Sequence, residues 1–254
     1  MRSCPSSIRE ASINTIPFSV VADLIPAEAG GRCAARFGAF DDADEAVPEE
    51  GRCRRVLLVS DVDREVLATS LSEPGAVVVE ACEGGLPAGD WAAVSVPANG
   101  FYLSLATATA FSLVLAPLVG GVLAARRVLA SDKQSVVELC LQEAVANAVI
   151  HGNLGISSSA KDHPEGYRVY SQLVNSRLGD LELRQRRVEV FARWSGGALD
   201  ISVADQGIGF DVAKLPAEIG SHSRSGRGFV FMRALAGQVV VTDGGRCTSL
   251  RFER

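Results

Sequence analysis

From Trp91 to Ala125 the chain carries no aspartate, glutamate, lysine or arginine, and the part from Ala110 to Ala125 is strongly apolar. Such a stretch either crosses a bilayer or is packed inside a core. A membrane helix needs about 20 predominantly apolar residues, and Arg126–Arg127 would supply its positive inner flank. Pro117, the Gly120–Gly121 pair and the Ser and Thr residues between 101 and 112 interrupt a clean span. Only about ten residues then separate Ala125 from a helical pattern that begins near Val136. We therefore read the segment as a buried helix that covers a sheet. Membrane association of residues 101–125 stays open at the level of sequence.

The helical pattern that follows contains Leu141 to Asn153, LQEAVANAVIHGN, in which Glu143, Asn147 and His151 stand four residues apart. On a straight helix that spacing forms one polar stripe, while Leu141, Val145, Ala148 and Val149 turn to a core. A glutamate and an asparagine facing one cleft can hold Mg²⁺ and a water against a phosphate; a plain solvated face would look the same. A second motif, Asp205-Gln-Gly207-Ile-Gly209-Phe-Asp211, follows the strand-like run Leu199 to Ala204. A carboxylate there can accept a hydrogen bond from an exocyclic amine, and the glycines let backbone approach a flat ring, although DxGxG also describes a tight turn. The third motif, Gly226-Arg227-Gly228-Phe229, opens a helix-like segment. Glycines at a helix N-terminus present free N–H groups and partial positive charge, a ready phosphate site.

The three motifs in this order resemble the histidine-kinase-like (Bergerat-fold) ATPases. ExxxNAxxHGN, DxGxGF and GRGxxxMR are most similar to the anti-sigma-factor serine kinases and to ATPase modules that follow response-regulator domains. The resemblance covers roughly Phe101 to Arg254. It implies that Glu143 is the catalytic or water-orienting carboxylate and Asn147 the Mg²⁺ ligand. It further implies that Asp205 binds the adenine amine, that Gly207 and Gly209 flank the base, and that Gly226, Arg227 and Gly228 meet the phosphates of ATP. Thr248, in the closing strand Thr248 to Phe252, matches the family's adenine-side hydroxyl. His151 matches the motif too, although a helix-end histidine can equally cap or pack.

Composition narrows the alternatives. The net charge of −5 and the absence of a basic run with interleaved aromatics argue against nucleic-acid binding. Cys4, Cys33, Cys53, Cys82, Cys140 and Cys247 show neither CxxC nor His-paired spacing, so neither a zinc site nor a disulfide framework is expected. No charged start followed by an apolar run and a cleavage site is present, so a cytoplasmic protein is expected.

Three regions are expected. Residues 1–53 mix Ser, Pro, Gly, Ala and acidic residues without sustained periodicity and read as a disordered N-terminal extension. From Arg54 the pattern becomes strand, helix, strand: Val56-Leu-Leu-Val-Ser, then Asp63 to Leu71, then Ala76-Val-Val-Val-Glu-Ala. Residues 54–98 resemble the opening of a response-regulator receiver domain, with Asp61 and Asp63 near that family's Mg²⁺-binding acidic residues. The resemblance then fails, because Trp91 to Pro97, where the phospho-accepting strand belongs, holds no carboxylate. We therefore expect residues 54–100 to be a degenerate, non-phosphorylatable remnant, with a chance βαβ unit as the alternative.

Residues 101–254 are expected to be the ATPase domain. A polar insertion, Ile156 to Arg187, carries a helical pattern through Tyr167, Tyr170, Leu173, Val174 and Leu178. Period-two alternation on both sides of Ser195-Gly-Gly predicts a hairpin, and Gln238 to Thr242 predicts a strand that turns at Asp243-Gly-Gly. The expected fold is α+β, a two-layer sandwich of a mixed sheet with helices on one face. A short lid is expected between Ala213 and Ser225.

The resemblance implies an ATP-binding regulatory protein in bacterial signal transduction: a serine/threonine kinase whose partner is a sigma factor or an anti-anti-sigma-type substrate, working as a homodimer. A histidine-kinase module acting in trans is the first alternative, since His151, His163 and His222 all lack the context of a phospho-acceptor. An ATP-binding partner switch without catalysis is the second.

Overall fold

The computed structural model describes residues 18–22, 55–59, 62–81, 96–157, 166–214 and 227–254. The strands are β1 (Phe18–Ala22), β2 (Arg55–Val59), β3 (Ala76–Glu80), β4 (Gly100–Ala106), β5 (Arg187–Ser195), β6 (Ala198–Ala204), β7 (Gln238–Thr242) and β8 (Cys247–Glu253). They form one sheet in the order β1-β2-β3-β4-β5-β6-β8-β7. The β2–β3 and β3–β4 ladders are parallel and the others antiparallel, giving the mixed sheet expected. The described helices are α1 (Arg64–Leu71), α2 (Thr107–Ser112), α3 (Leu115–Ala125), α4 (Ser131–Ala146), α5 (Gly166–Leu178), α6 (Leu181–Gln185) and α7 (Arg227–Leu235).

One apolar layer joins helices to sheet. Val78, Leu103, Val190, Ile201 and Leu250 of the strands meet Leu67, Val119, Leu141, Val174 and Met232 of α1, α3, α4, α5 and α7. The fold is thus α+β, with these helices on one face. The alternate strand positions carry buried polar pairs: the Tyr102 hydroxyl donates to Glu189 at 2.5 Å, Arg187 Nε donates to Ser104 Oγ at 3.0 Å, and Ser202 and Ser249 meet at 2.7 Å. Asp200 on the same face accepts from both Arg193 and Arg251. That arrangement is the period-two alternation of β5 and β6 realised in space.

The uncharged stretch resolves into a strand and two helices. Gly100–Ala106, which we read with the helical segment, is the central strand β4; its first six residues are buried. A short, uncharged strand buried on both faces is not separated by its pattern from a buried helix. In α3, Leu115, Leu118, Val119, Val122 and Leu123 are buried as expected, and Pro117 falls in the first turn, where it is tolerated. Gly120 is a packing position, because a side chain there would overlap the Glu138 carboxylate of α4. Among the described residues, no helix is long and apolar enough to cross a membrane.

The segment before residue 100 belongs to the same sheet. β2, α1 and β3 form the strand-helix-strand unit expected, but β3 lies between β2 and β4, whereas a receiver-type sheet sets its first strand between the second and third. On its other side β2 pairs with β1, a strand inside the region expected to be a disordered extension. Its β-branched pair Val20-Val21 suits a ladder, but five residues are too few to show periodicity. Asp63 caps α1, its carboxylate accepting the Val66 N–H at 2.7 Å. Asp61, residues 91–95 and the remainder of the expected extension lie outside the described residues.

Candidate functional site

Glu143 and Asn147 sit one turn apart at the end of α4, both half-buried, over the buried Leu141, Ala144 and Val145. At Asn147 the α-helix gives way to a π-helical segment, Asn147–Asn153. The wider winding shows in the bond from Leu154 N–H to the Val149 carbonyl at 3.0 Å. Segments of this type recur at functional sites. Here the winding interrupts the straight stripe expected of Glu143, Asn147 and His151, since each residue of a wider turn advances by a smaller angle. His151 is exposed, and its Nδ1 lies 2.5 Å from the Ile156 carbonyl oxygen, where it secures the chain leaving the helix.

The Glu143 carboxylate lies against Gly228, so closely that a Cβ there would overlap Oε2. Gly228 is in the first turn of α7, which buried Phe229 and Met232 anchor to the core. The first N–H groups of a helix lack intrahelical acceptors and carry partial positive charge, so this turn suits an anion. Arg227 opens the same turn and is exposed. Gly226 and most of the expected lid lie outside the described residues.

The second motif follows β6. Asp205 is buried, and its Oδ1 accepts the Gly207 N–H at 2.8 Å, which orients the carboxylate. Its own N–H donates to the Arg246 carbonyl at 3.0 Å. Gly152 of the π-helical turn packs directly on it: a Cβ at 152 would stand 2.5 and 2.6 Å from the two carboxylate oxygens. Gly207 in turn rests on the backbone of Gly152. Gly209 adopts φ +73° and presses on the Gly244 carbonyl, which also accepts the Phe210 N–H at 3.0 Å. Thr248 is buried and pairs with Val203, two residues before Asp205, so it shares that face of the sheet. The Phe210 and Phe229 rings meet edge-on at 5.6 Å, joining the DxGxGF loop to α7.

The structure thus brings Glu143 to Gly228, and Asp205 to Gly207 and the turn after Asn147. Gly152 and Asn153 were assigned no role from sequence, although they close the quoted HGN motif. Asn153 is wholly buried and uses its entire amide: Nδ2 donates to Thr107 Oγ1 and to the Arg187 carbonyl, both at 2.9 Å, and Oδ1 accepts the Gln206 N–H at 2.7 Å. Asparagine beside glycine was the available signal, but only tertiary contacts give it meaning.

One observation bears on the fit to a nucleotide. Among the described residues, the Asn147 Nδ2 is buried without a hydrogen-bond partner, an arrangement that costs about 1 to 3 kcal/mol unless a ligand or water supplies one. The orphaned N–H donor of Asn147 suits an acceptor such as a phosphate oxygen. Gly152, Gly207 and Gly228 serve close packing within the protein, since a Cβ at each would overlap the Asp205 carboxylate, the Gly152 backbone and Glu143 Oε2 respectively.

The model of the histidine kinase-like ATPase domain matches residues 173–253, which include Asp205, Gly207, Gly209, Gly226, Arg227, Gly228 and Thr248. Glu143, Asn147 and His151 precede the matched stretch. No curated protein matches the chain. The α+β architecture is consistent with a histidine kinase-like ATPase fold, and the match supports ATP binding by a regulatory domain.

Proposed function

We propose that this chain is an ATP- and Mg²⁺-dependent serine/threonine protein kinase of the anti-sigma-factor type, acting in the cytoplasm on a sigma factor or an anti-anti-sigma-type partner. The observation that supports it is the Asn147 Nδ2, buried with no partner among the described residues one turn after the Glu143 that meets Gly228, a donor placed for a phosphate oxygen. Asn147 would hold the metal through its side-chain oxygen, and Mg²⁺, when bound, would offset phosphate charge. Asp205 reads the adenine amine, with Gly207, Gly209 and Thr248 around the base. Gly226, Arg227 and Gly228 receive the phosphates at the positive end of α7.

Glu143 takes the proton of the acceptor hydroxyl as its oxygen attacks the γ-phosphorus and ADP leaves; such general-base help is typically worth about 10² to 10⁴ in rate. ADP formation by the wild-type chain and by Glu143→Gln tests the enzymatic part. Turnover by the wild type, lost in the variant while ATP binding is kept, is the expected result. ATP binding with no turnover by the wild type would replace the kinase with an ATP-dependent partner switch. Acid-labile phosphate on the chain would point to histidine chemistry instead.

A further inference from the structure

The carboxylate that would read the base does not hold its own position. Asp205 sits between two residues whose backbones are fixed from outside: Ala204 pairs with Cys247 and Glu189, and Gln206 is clamped on both sides. One jaw of the clamp is Asn153 Oδ1, which accepts the Gln206 N–H at 2.7 Å; the other is the Arg187 N–H, which donates to Gln206 Oε1 at 2.8 Å. Asn153 is itself pinned to Thr107 and Arg187, so the start of α2, the start of β5 and the residue after Asp205 converge on one amide. Immediately before it, Gly152 lies flat against the carboxylate, and a methyl group there would overlap Cγ and crowd both oxygens. The carboxylate has little room to yield, being 6% exposed with Oδ1 tied to Gly207. The π-helical winding from Asn147 brings Gly152 and Asn153 under the Asp205–Gly207 turn.

We propose that Gly152 and Asn153 are positioning residues for Asp205, and that the closing half of the π-helical turn thereby sets which purine the site accepts. The inference rests on the reading of Asp205 as the base-binding carboxylate. A carboxylate placed to accept from an exocyclic amine accepts adenine and leaves the oxygen of guanine facing an acceptor, a mismatch that hydrogen-bonding sites reject strongly. Displacing the carboxylate weakens adenine binding and relaxes that rejection together. A residue that merely stabilised the fold would lower both affinities alike.

The test is a titration of the full chain with Mg²⁺-ATP and with Mg²⁺-GTP for the wild type, Gly152→Ala, Asp205→Asn and the double variant, with thermal melts confirming that each is folded. Gly152→Ala is expected to lose about tenfold or more in ATP affinity, with the ATP-to-GTP preference falling toward one. On the Asp205→Asn background it is expected to add little, because the group it positions is already altered. Asn153→Ala should follow the same pattern where it folds; Gly152→Ala carries the test otherwise. Wild-type affinity and preference in Gly152→Ala, or losses that simply multiply in the double variant, would overturn the proposal. A folded wild type that binds neither nucleotide would overturn the proposed function itself, and the inference with it.

Discussion

Single residues in this chain carry costs that only a particular use explains. Arg127 occupies the left-handed position after α3 with φ +58°, where the Val128 N–H closes back on Leu123 at 2.8 Å. Glycine normally fills that place because a Cβ is strained there. Arg127 is exposed, so Arg127→Gly is expected to stabilise the chain by about 1 kcal/mol, read as a higher denaturant midpoint. Cys140, one turn before Glu143, has its thiol pushed up to about 11, first by burial and then by the Glu143 charge. The folded state therefore holds the thiol proton more tightly than the unfolded state. That contribution is complete at neutral pH and fades as pH rises from the ordinary thiol range toward about 11. Alkylation followed by peptide mass spectrometry at pH 8 should find Cys140 unmodified in the native chain and modified after denaturation. The motif residues were legible one by one because each side chain is adapted to a chemistry. Gly152 and Asn153 were not, because one acts by lacking a side chain and the other through partners 34 to 53 positions away.

At the scale of elements, the boundaries depend on a few fastenings. Arg126 ends α3 with its guanidinium 4.5 Å over the Trp194 ring, donating to the carbonyls of Leu71 at 3.3 Å, Ala98 at 2.9 Å and Gly100 at 3.4 Å. It thus ties the end of α1, the approach to β4 and the end of β5. Burial lowers its pKa while Glu73 opposes the shift, as expected of a cation held for its geometry. Arg126→Ala should destabilise by about 2 to 3 kcal/mol, since the cation–π contact and hydrogen bonds to partly buried carbonyls are lost together. Chemical denaturation measures it, and a loss below about 0.5 kcal/mol would mean that water replaces the guanidinium without cost. Hairpin β5–β6, strand β7 and helix α5 were legible because period and turn residues agree. β4 and the π-helical turn were not: one is uncharged and buried along its length, and the other continues an α-helix without a break in the sequence pattern.

For the whole molecule, the decisive fact is one continuous sheet from β1 to β7. Two resemblances divided the chain near residue 100, the receiver-like strand-helix-strand signature of residues 54–98 and the ATPase motifs beyond it. Which neighbour β3 takes is a long-range choice that local pattern does not encode, and the β3–β4 ladder joins the two regions. The sheet and its helix layer hold α4 and α7 so that Glu143 meets Gly228, and they hold the π-helical turn against Asp205. The account centres on a nucleotide between those two contacts. Calorimetric titration of the full chain with ATP, with and without Mg²⁺, beside Asn147→Ala and Asp205→Ala, tests it most directly. The account predicts Mg²⁺-dependent binding by the wild type that both substitutions abolish. A folded wild type that takes up no ATP, or variants that bind as well as it does, would contradict it.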